Sequence, residues 1–128
     1  PGGPFPAMAG EVFVFASGQR AEAAVILPRD GGILLTCDAI QNWTHVDRFF
    51  SPASGELFER QGLIRAANIP STWLGACAPD IADFHRLLAH RFRHLISAHG
   101  EPLRDEAHAA ISARLAELAR AFAAGTAE

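Results

Sequence analysis

Two neighbouring segments of the chain are apolar at nearly every position: AAVIL (residues 23–27) and GILLTC (residues 32–37). A strand with one face in water alternates apolar and polar side chains, so apolar residues on both faces indicate a sheet that is covered on both sides. The segment between them, PRDGG, contains Asp-Gly, which is typical of a hairpin turn. With EVFVF (residues 11–15) before them, these segments predict three consecutive antiparallel strands.

The sequence after residue 42 is typical of helices and one further strand. Between residues 42 and 79 the pattern is weak: Ser51 and Pro52 predict a helix through ELFERQG that ends at Gly62, and AANIPSTWLGACAP predicts a long loop with a short helical turn. HLISAH (residues 94–99) predicts a short strand. Before it, four apolar residues recur at helical spacing and predict an amphipathic helix: Ile81, Phe84, Leu88 and Phe92.

A last helix is expected near the end of the sequence. Glu101 and Pro102 predict its start, with Asp105 and Glu106 in the first turn, where the helix dipole favours acidic side chains. Gly125 stands where a helix end is expected. One apolar stripe follows the predicted helix: Ile111, Leu115, Leu118 and Phe122.

These elements predict a single α/β domain over residues 11–128, with a layered, mixed but mainly antiparallel sheet and helices on at least one face. Residues 1–10, PGGPFPAMAG, have no periodicity and predict an irregular arm or linker. Two or three helices cover only one face of a sheet well, so the second apolar face needs another layer. We expect that layer from a second copy of the chain, in a homodimer, or from an N-terminal half upstream of Pro1, since the sequence does not begin with Met.

Charge and composition exclude several classes of partner. All 11 basic residues are Arg and the formal net charge is -3, so the chain lacks the basic field with which proteins bind nucleic acids. No apolar run approaches the roughly 20 residues of a membrane-spanning helix. Two well-separated cysteines, Cys37 and Cys77, fit neither a disulfide framework nor a zinc knuckle. We therefore expect a soluble cytoplasmic protein whose partner is a small-molecule substrate.

Two residues with metal-ligand chemistry stand at the ends of predicted strands. Asp38 follows the third strand, and His99 ends the HLISAH segment. Ligand sites of α/β sheets gather at the carboxyl ends of strands, and a carboxylate with an imidazole suits Zn or Fe better than Mg. A catalytic zinc uses three protein ligands, one more than this pair provides. The alternative is that Asp38 caps a turn and His99 forms a hydrogen bond at a strand–helix junction, with no metal.

Other chemically active side chains have simpler explanations as well. Cys37 stands beside Asp38 and is a candidate nucleophile, but no basic neighbour in the sequence lowers its pKa, and a small buried cysteine is the commoner role. Trp43 and Trp73 either line a pocket near the strand ends or pack in the core. Three histidines are expected to be solvated near a helix C-terminus rather than to bind metal: His85, His90 and His94.

Two longer segments carry a resemblance to a known family. GGILLTCDAIQNW (residues 31–43) and FRHLISAHGEPLRDEA (residues 92–107), separated by a variable helical insert, resemble the C-terminal half of a metallo-β-lactamase-fold protein of the glyoxalase-II-like type. In that superfamily a strand of the type vlltGD supplies a metal-bridging aspartate, and a segment of the type hlipgHG supplies a last histidine ligand. Asp38 and His99 match these two positions. The resemblance extends over roughly residues 11–118.

The chain also departs from the family pattern. The upstream HxHxDH motif is absent, and Cys37 stands where a glycine usually precedes the aspartate. Near the place of the family's GHTxG turn, the chain has Gln19 and Arg20. The set of metal ligands that the family uses is therefore incomplete in this sequence.

The resemblance implies half of an αββα sandwich and metal-assisted hydrolysis of an ester, thioester, amide or phosphodiester. Asp38 would bridge two metal ions and His99 would bind the second. The sequence does not indicate which substrate is used. Because the ligand set is incomplete, a second hypothesis stays open: a non-catalytic α/β binding or self-assembly module that has lost the metal centre and needs no cofactor.

Overall fold

The computed structural model describes residues 2–5 and 9–125. These residues form two sheets and four helices. In chain order the elements are β1 (Gly2–Phe5), β2 (Gly10–Val14), β3 (Ala23–Leu27), β4 (Ile33–Thr36), β5 (Gln41–Trp43), α1 (Pro52–Arg60), β6 (Arg65–Asn68), α2 (Ser71–Cys77), α3 (Ile81–Leu88), β7 (His94–Ser97) and α4 (Ala107–Gly125).

The main sheet has the strand order β1-β2-β3-β4-β7. Strands β1 to β4 pair antiparallel in succession, and β7 joins the edge of β4 in the parallel direction. The predicted mixed, mainly antiparallel α/β architecture is therefore confirmed. The hairpin between β3 and β4 lies where PRDGG predicts it, with φ of 84° at Gly31 and 99° at Gly32, angles that glycine adopts without steric cost.

The core lies between one face of the main sheet and helices α2, α3 and α4. The packed helix side chains include Trp73, Phe84 and Ile111, all of them buried. Phe15 contacts both Trp73 and Phe84 through its ring, with centroid distances of 5.4 and 5.2 Å. The sheet contributes every second residue of its strands, among them Phe13, Ala24, Ile26, Leu34 and Leu95. The apolar side chains that point to the other face of the sheet are not part of this core.

The prediction of an irregular arm over residues 1–10 is wrong for Gly2–Phe5, which forms β1. This strand pairs with β2 along its length, with Pro4 opposite Glu11. An edge strand tolerates proline because its outward side needs no N–H donor. Pairing with the next strand along the chain overrides the local Pro/Gly composition here. Residues 1 and 6–8 lie outside the described part of the chain.

Two helix boundaries also differ from the prediction. Helix α4 begins at Ala107 rather than near Pro102, because Leu103 exchanges two backbone hydrogen bonds of 2.9 Å with Leu95 of β7. Asp105, with φ of 68°, therefore lies in the loop before the helix. Helix α3 ends at Leu88, and Phe92 reaches the core from the following loop instead. Backbone pairing of Leu103 in the first place, and core packing of Phe92 in the second, replace the helical pattern that the sequence continues.

The segment between β4 and α2 is partly as predicted. Helix α1 starts after Ser51, whose side chain accepts a hydrogen bond from the Ser54 backbone N–H, and Gly62 with φ of 65° follows its end. The prediction is wrong for the two-stranded sheet of β5 and β6, because this part of the chain was expected to be a loop. None of the helices in residues 9–125 is long and apolar enough to cross a membrane.

Candidate metal centre

The parallel pair of strands β4 and β7 brings Asp38 and His99 to the same edge of the sheet. Cys37 and Asp38 follow directly after β4, and His99 lies two residues after the end of β7. Because neighbouring parallel strands end on the same side, residues that are 61 positions apart become neighbours. This is the juxtaposition that the sequence predicts for the pair.

Hydroxyl groups fix the loop that carries Asp38. Thr36 Oγ1 and Ser97 Oγ both donate to the Ile40 carbonyl oxygen, at 2.7 and 2.8 Å. On the opposite strand the backbone N–H of His99 donates to Ser97 Oγ at 3.1 Å, and the His99 carbonyl accepts from the Asn42 N–H at 2.9 Å. The backbone on both sides of the candidate site is therefore held by hydrogen bonds between the two strands.

Three potential metal ligands converge at this edge. His99 Nε2 donates to Asp38 Oδ1 at 2.8 Å. The nearest ligand atoms of Cys37, Asp38 and His99 all lie within 4.8 Å of one another, the one group with this spacing found in the described residues. The side chains of Asp38 and His99 are 55% and 39% exposed, so a substrate can reach them. An exposed pair of this kind adds little to stability.

Cys37 differs from the expectation of a small buried cysteine. Its side chain is exposed, and its sulfur belongs to the ligand group. Although the side chain is exposed, partial desolvation of the sulfur and the negative charges of Asp38 and Glu22 raise the pKa of the Cys37 thiol. A nucleophilic cysteine needs a lowered pKa, so these surroundings disfavour that role. A metal cation would reverse the effect, because a coordinating thiol loses its proton.

Glu22, at the entry to β3, is a neighbour of the site that the sequence did not reveal. Its side chain is half-buried, and Oε1 has no hydrogen-bond partner among the described residues. Burial raises the pKa of Glu22, and the charge of Asp38 adds to this, although the backbone N–H groups of Ala39 and Asp38 act in the opposite direction. No motif in the sequence marks this residue.

Asn42 joins the site to the β5–β6 sheet and is another residue that sequence reasoning missed. Its side chain is 1% exposed, donates to the Glu101 carbonyl at 2.7 Å and accepts from the Ala67 N–H at 3.0 Å. The backbone carbonyl of Asn42 also accepts from the Glu101 N–H at 3.0 Å. These bonds hold the segment that follows His99 against β5.

The remaining candidates from the sequence lie away from the ligand group. Trp73 packs in the core, whereas Trp43 contacts Phe50 and Phe58 in a separate aromatic cluster at 5.2 and 6.5 Å. Cys77 is buried, as expected of a core cysteine. Each of the three histidines considered from the sequence has its own surroundings: His85 is exposed on α3, His90 lies 3.5 Å from Glu11, and His94 contacts the Asp30 carbonyl at 2.9 Å.

Comparison of the chain with protein-family models, with curated protein sequences and with solved structures finds no match.

Proposed function

We propose that Cys37, Asp38 and His99 bind a divalent transition metal, Zn or Fe, and that this centre serves metal-assisted hydrolysis. On this proposal the chain is a divergent member, or a segment, of the metallo-β-lactamase superfamily that the sequence resembles. The observation that carries the proposal is the convergence of three ligand atoms within 4.8 Å at the carboxyl ends of two parallel strands. The substrate class is an ester, thioester, amide or phosphodiester.

The chemistry of the three side chains fits such a metal. Thiolate and imidazole ligands favour Zn or Fe, whereas Mg and Ca prefer sites built from oxygen alone. Three protein ligands with an open position are the usual arrangement of a catalytic zinc site. Cys37 therefore supplies the third ligand that the pair of Asp38 and His99 lacks. Because the described residues bring together one group of three ligands and the sequence lacks the HxHxDH motif, we expect one metal ion in this chain rather than two.

The chain's own residues have distinct roles in this proposal. When bound, the metal supplies Lewis acidity and lowers the pKa of a water molecule. Asp38 Oδ1 and His99 Nε2 lie 2.8 Å apart, and a metal ion would take the place of the proton that they share. The half-exposed surroundings admit a substrate, and Glu22 adds a second carboxyl group behind Asp38. Ser97 and Thr36 keep the backbone of the site in place through Ile40.

Metal analysis tests the proposal directly. The chain is purified without chelator, and its metal content and its affinity for Zn²⁺ are measured by mass spectrometry and by competition with a chromophoric chelator. We expect about one equivalent of metal, and a loss of affinity of about tenfold or more in Asp38→Ala, His99→Ala and Cys37→Ser, the range seen when metal sites are disturbed.

The matched control is His85→Ala, which removes an exposed histidine from α3 and should leave binding unchanged. Substitution of Co²⁺ adds a readout for the third ligand, since a cobalt–thiolate absorption band should be present in the native chain and absent in Cys37→Ser. Unchanged affinity for Zn²⁺ in all three site variants would contradict the proposed metal centre. Hydrolysis of a panel of esters, thioesters, amides and phosphodiesters then tests the reaction.

A second candidate function is a non-catalytic α/β binding or self-assembly module. The favouring observation is that Asp38 and His99 already satisfy each other through their 2.8 Å hydrogen bond, so the pair needs no metal to explain it. On this alternative the chain purifies without metal, and Asp38→Ala and His99→Ala leave every binding property intact. The same titration therefore separates the two functions.

A further inference from the structure

One face of the main sheet carries an apolar surface that the helices do not bury. We call it the open face and define it by seven side chains that alternate with the core residues along β2, β3, β4 and β7. None of them belongs to the core between sheet and helices. The members are Val12, Val14, Val25, Leu27, Ile33, Leu35 and Ile96.

Strand register places the open face in rows across the sheet. Val12, Val25, Leu35 and Ile96 stand opposite one another on four successive strands. Five of the seven side chains are half-buried, Leu27 is buried, and Ile96 is 43% exposed. No Asp, Glu or Arg of these four strands lies on this face, and its one titratable side chain is His94, at the edge on β7. This face explains why the AAVIL segment is apolar at every position although helices cover only one side.

We propose that the open face binds the same face of a second copy of the chain. An almost wholly aliphatic surface selects a partner that is equally flat and aliphatic, and the open face itself has this character. Two-fold symmetry lets one patch serve both subunits, and stacked sheets pack about 10 Å apart with interdigitated side chains. Val25 and Leu35, in the middle of the row, would lie nearest the symmetry axis.

The size of the face predicts how strong this association is. The four strands of the open face, about 4.8 Å apart and about five residues long, give a face of roughly 19 by 16 Å, close to 300 Å². Two such faces bury about 600 Å², below the roughly 1,200 to 2,000 Å² of stable complexes. A patch of this size on one molecule is commonly functional. We therefore expect a reversible dimer that forms at high protein concentration.

Sedimentation velocity of the purified chain, from about 10 μM to about 1 mM, tests this inference. We expect the fraction of dimer to rise across this range, and Ile96→Lys and Val25→Lys to weaken association by about tenfold or more, since each would bury an unpaired charge. Ile96→Lys is the gentler variant because this side chain is already 43% exposed at the edge of the described sheet. Circular dichroism establishes that each variant is folded.

The matched control is Ala113→Lys, which adds the same charge at an exposed position of α4. A monomer at every concentration would overturn the proposal. So would a dimer that both open-face variants leave intact, because association would then use another surface. The result is independent of the metal centre, since none of the substituted residues belongs to Cys37, Asp38 or His99.

Discussion

At the scale of single residues, the reactivity of Cys37 reports on the charges at the candidate centre. Partial desolvation and the charges of Asp38 and Glu22 raise the pKa of this thiol, so iodoacetamide should alkylate it more slowly at neutral pH than a free cysteine. Glu22→Gln removes one of these charges and should speed alkylation about twofold or more. Mass spectrometry of quenched samples gives the rate, with buried Cys77 as an unreactive internal reference.

Zinc distinguishes a metal ligand from an isolated thiol in the same experiment. Saturating Zn²⁺ should slow the alkylation of Cys37 in the native chain. In Asp38→Ala it should have no such effect. If the rate of alkylation is the same with and without zinc, Cys37 is not a ligand. If Glu22→Gln leaves the rate unchanged, the charge of Glu22 does not reach the sulfur.

Asp83 is a buried acid whose contribution to stability should depend on pH. Its carboxylate accepts from the Ser17 N–H and hydroxyl at 3.0 and 2.6 Å and from Arg86 at 2.6 Å. Burial alone would raise the pKa of Asp83, but these bonds lower it below its ordinary value. The stabilisation is therefore complete above the unfolded pKa of about 3.9 and is lost as pH falls through the lower folded pKa.

Asp83→Asn tests this linkage. We expect the free energy of unfolding of this variant at pH 7 to be about 2 kcal/mol lower than that of the native chain, because hydrogen bonds to a charged group are lost. The difference from the native chain should shrink as the pH falls below about 3.9. Urea unfolding followed by circular dichroism gives both values. A difference that is constant over this pH range would show that the charge of Asp83 is not responsible.

At the scale of elements, Gly100 determines how closely the end of β7 approaches β5. Its φ is 93°, and a Cβ built there would lie 2.1 Å from the Asn42 carbonyl oxygen. We expect Gly100→Ala to cost at least about 3 kcal/mol of stability and to weaken Zn²⁺ binding, because the neighbouring His99 must move. The control Gly62→Ala has φ of 65° but nothing within 4 Å, so it should cost only about 1 kcal/mol. Equal costs would show that the close contact is unimportant.

Local patterns predicted the elements whose own residues carry an apolar run, a turn signal or a helix cap. Strand β3, the β3–β4 hairpin and the capped start of α1 follow from apolar runs, Asp-Gly and Ser51. Strand β1 and the late start of α4 depend instead on pairing with β2 and with Leu95, which no local pattern contains. The same division applies to the site. Asp38 and His99 are marked by strand ends, whereas Glu22 becomes a neighbour only through the tertiary fold.

At the scale of the whole molecule, the candidate centre and the open face share one sheet but are separable. The centre occupies the carboxyl ends of β4 and β7, and the open face is formed by the broad surface of β2, β3, β4 and β7. A metal ion would act within one chain, whereas burial of the open face requires two. The two proposals therefore predict different dependences of stability, one on metal concentration and one on protein concentration.

Metal should stabilise the folded chain because only the folded state brings its ligands together. Asp38 and His99 are 61 positions apart, so the unfolded chain does not hold both near one ion. Zn²⁺ at about 100 times its dissociation constant should add about 2.7 kcal/mol to the free energy of unfolding. For a domain of this size that corresponds to a rise in Tm of roughly 10 °C.

Scanning calorimetry with zinc, with chelator and over a range of pH measures this effect. The rise in Tm should vanish with chelator and in Asp38→Ala, and it should decrease at acidic pH because the ligands must lose their protons to bind metal. Val25→Lys should retain the full zinc effect, since it alters the open face alone. If the rise in Tm persists in Asp38→Ala, zinc binds at another site. If Val25→Lys abolishes the rise, the metal binds between two copies of the chain.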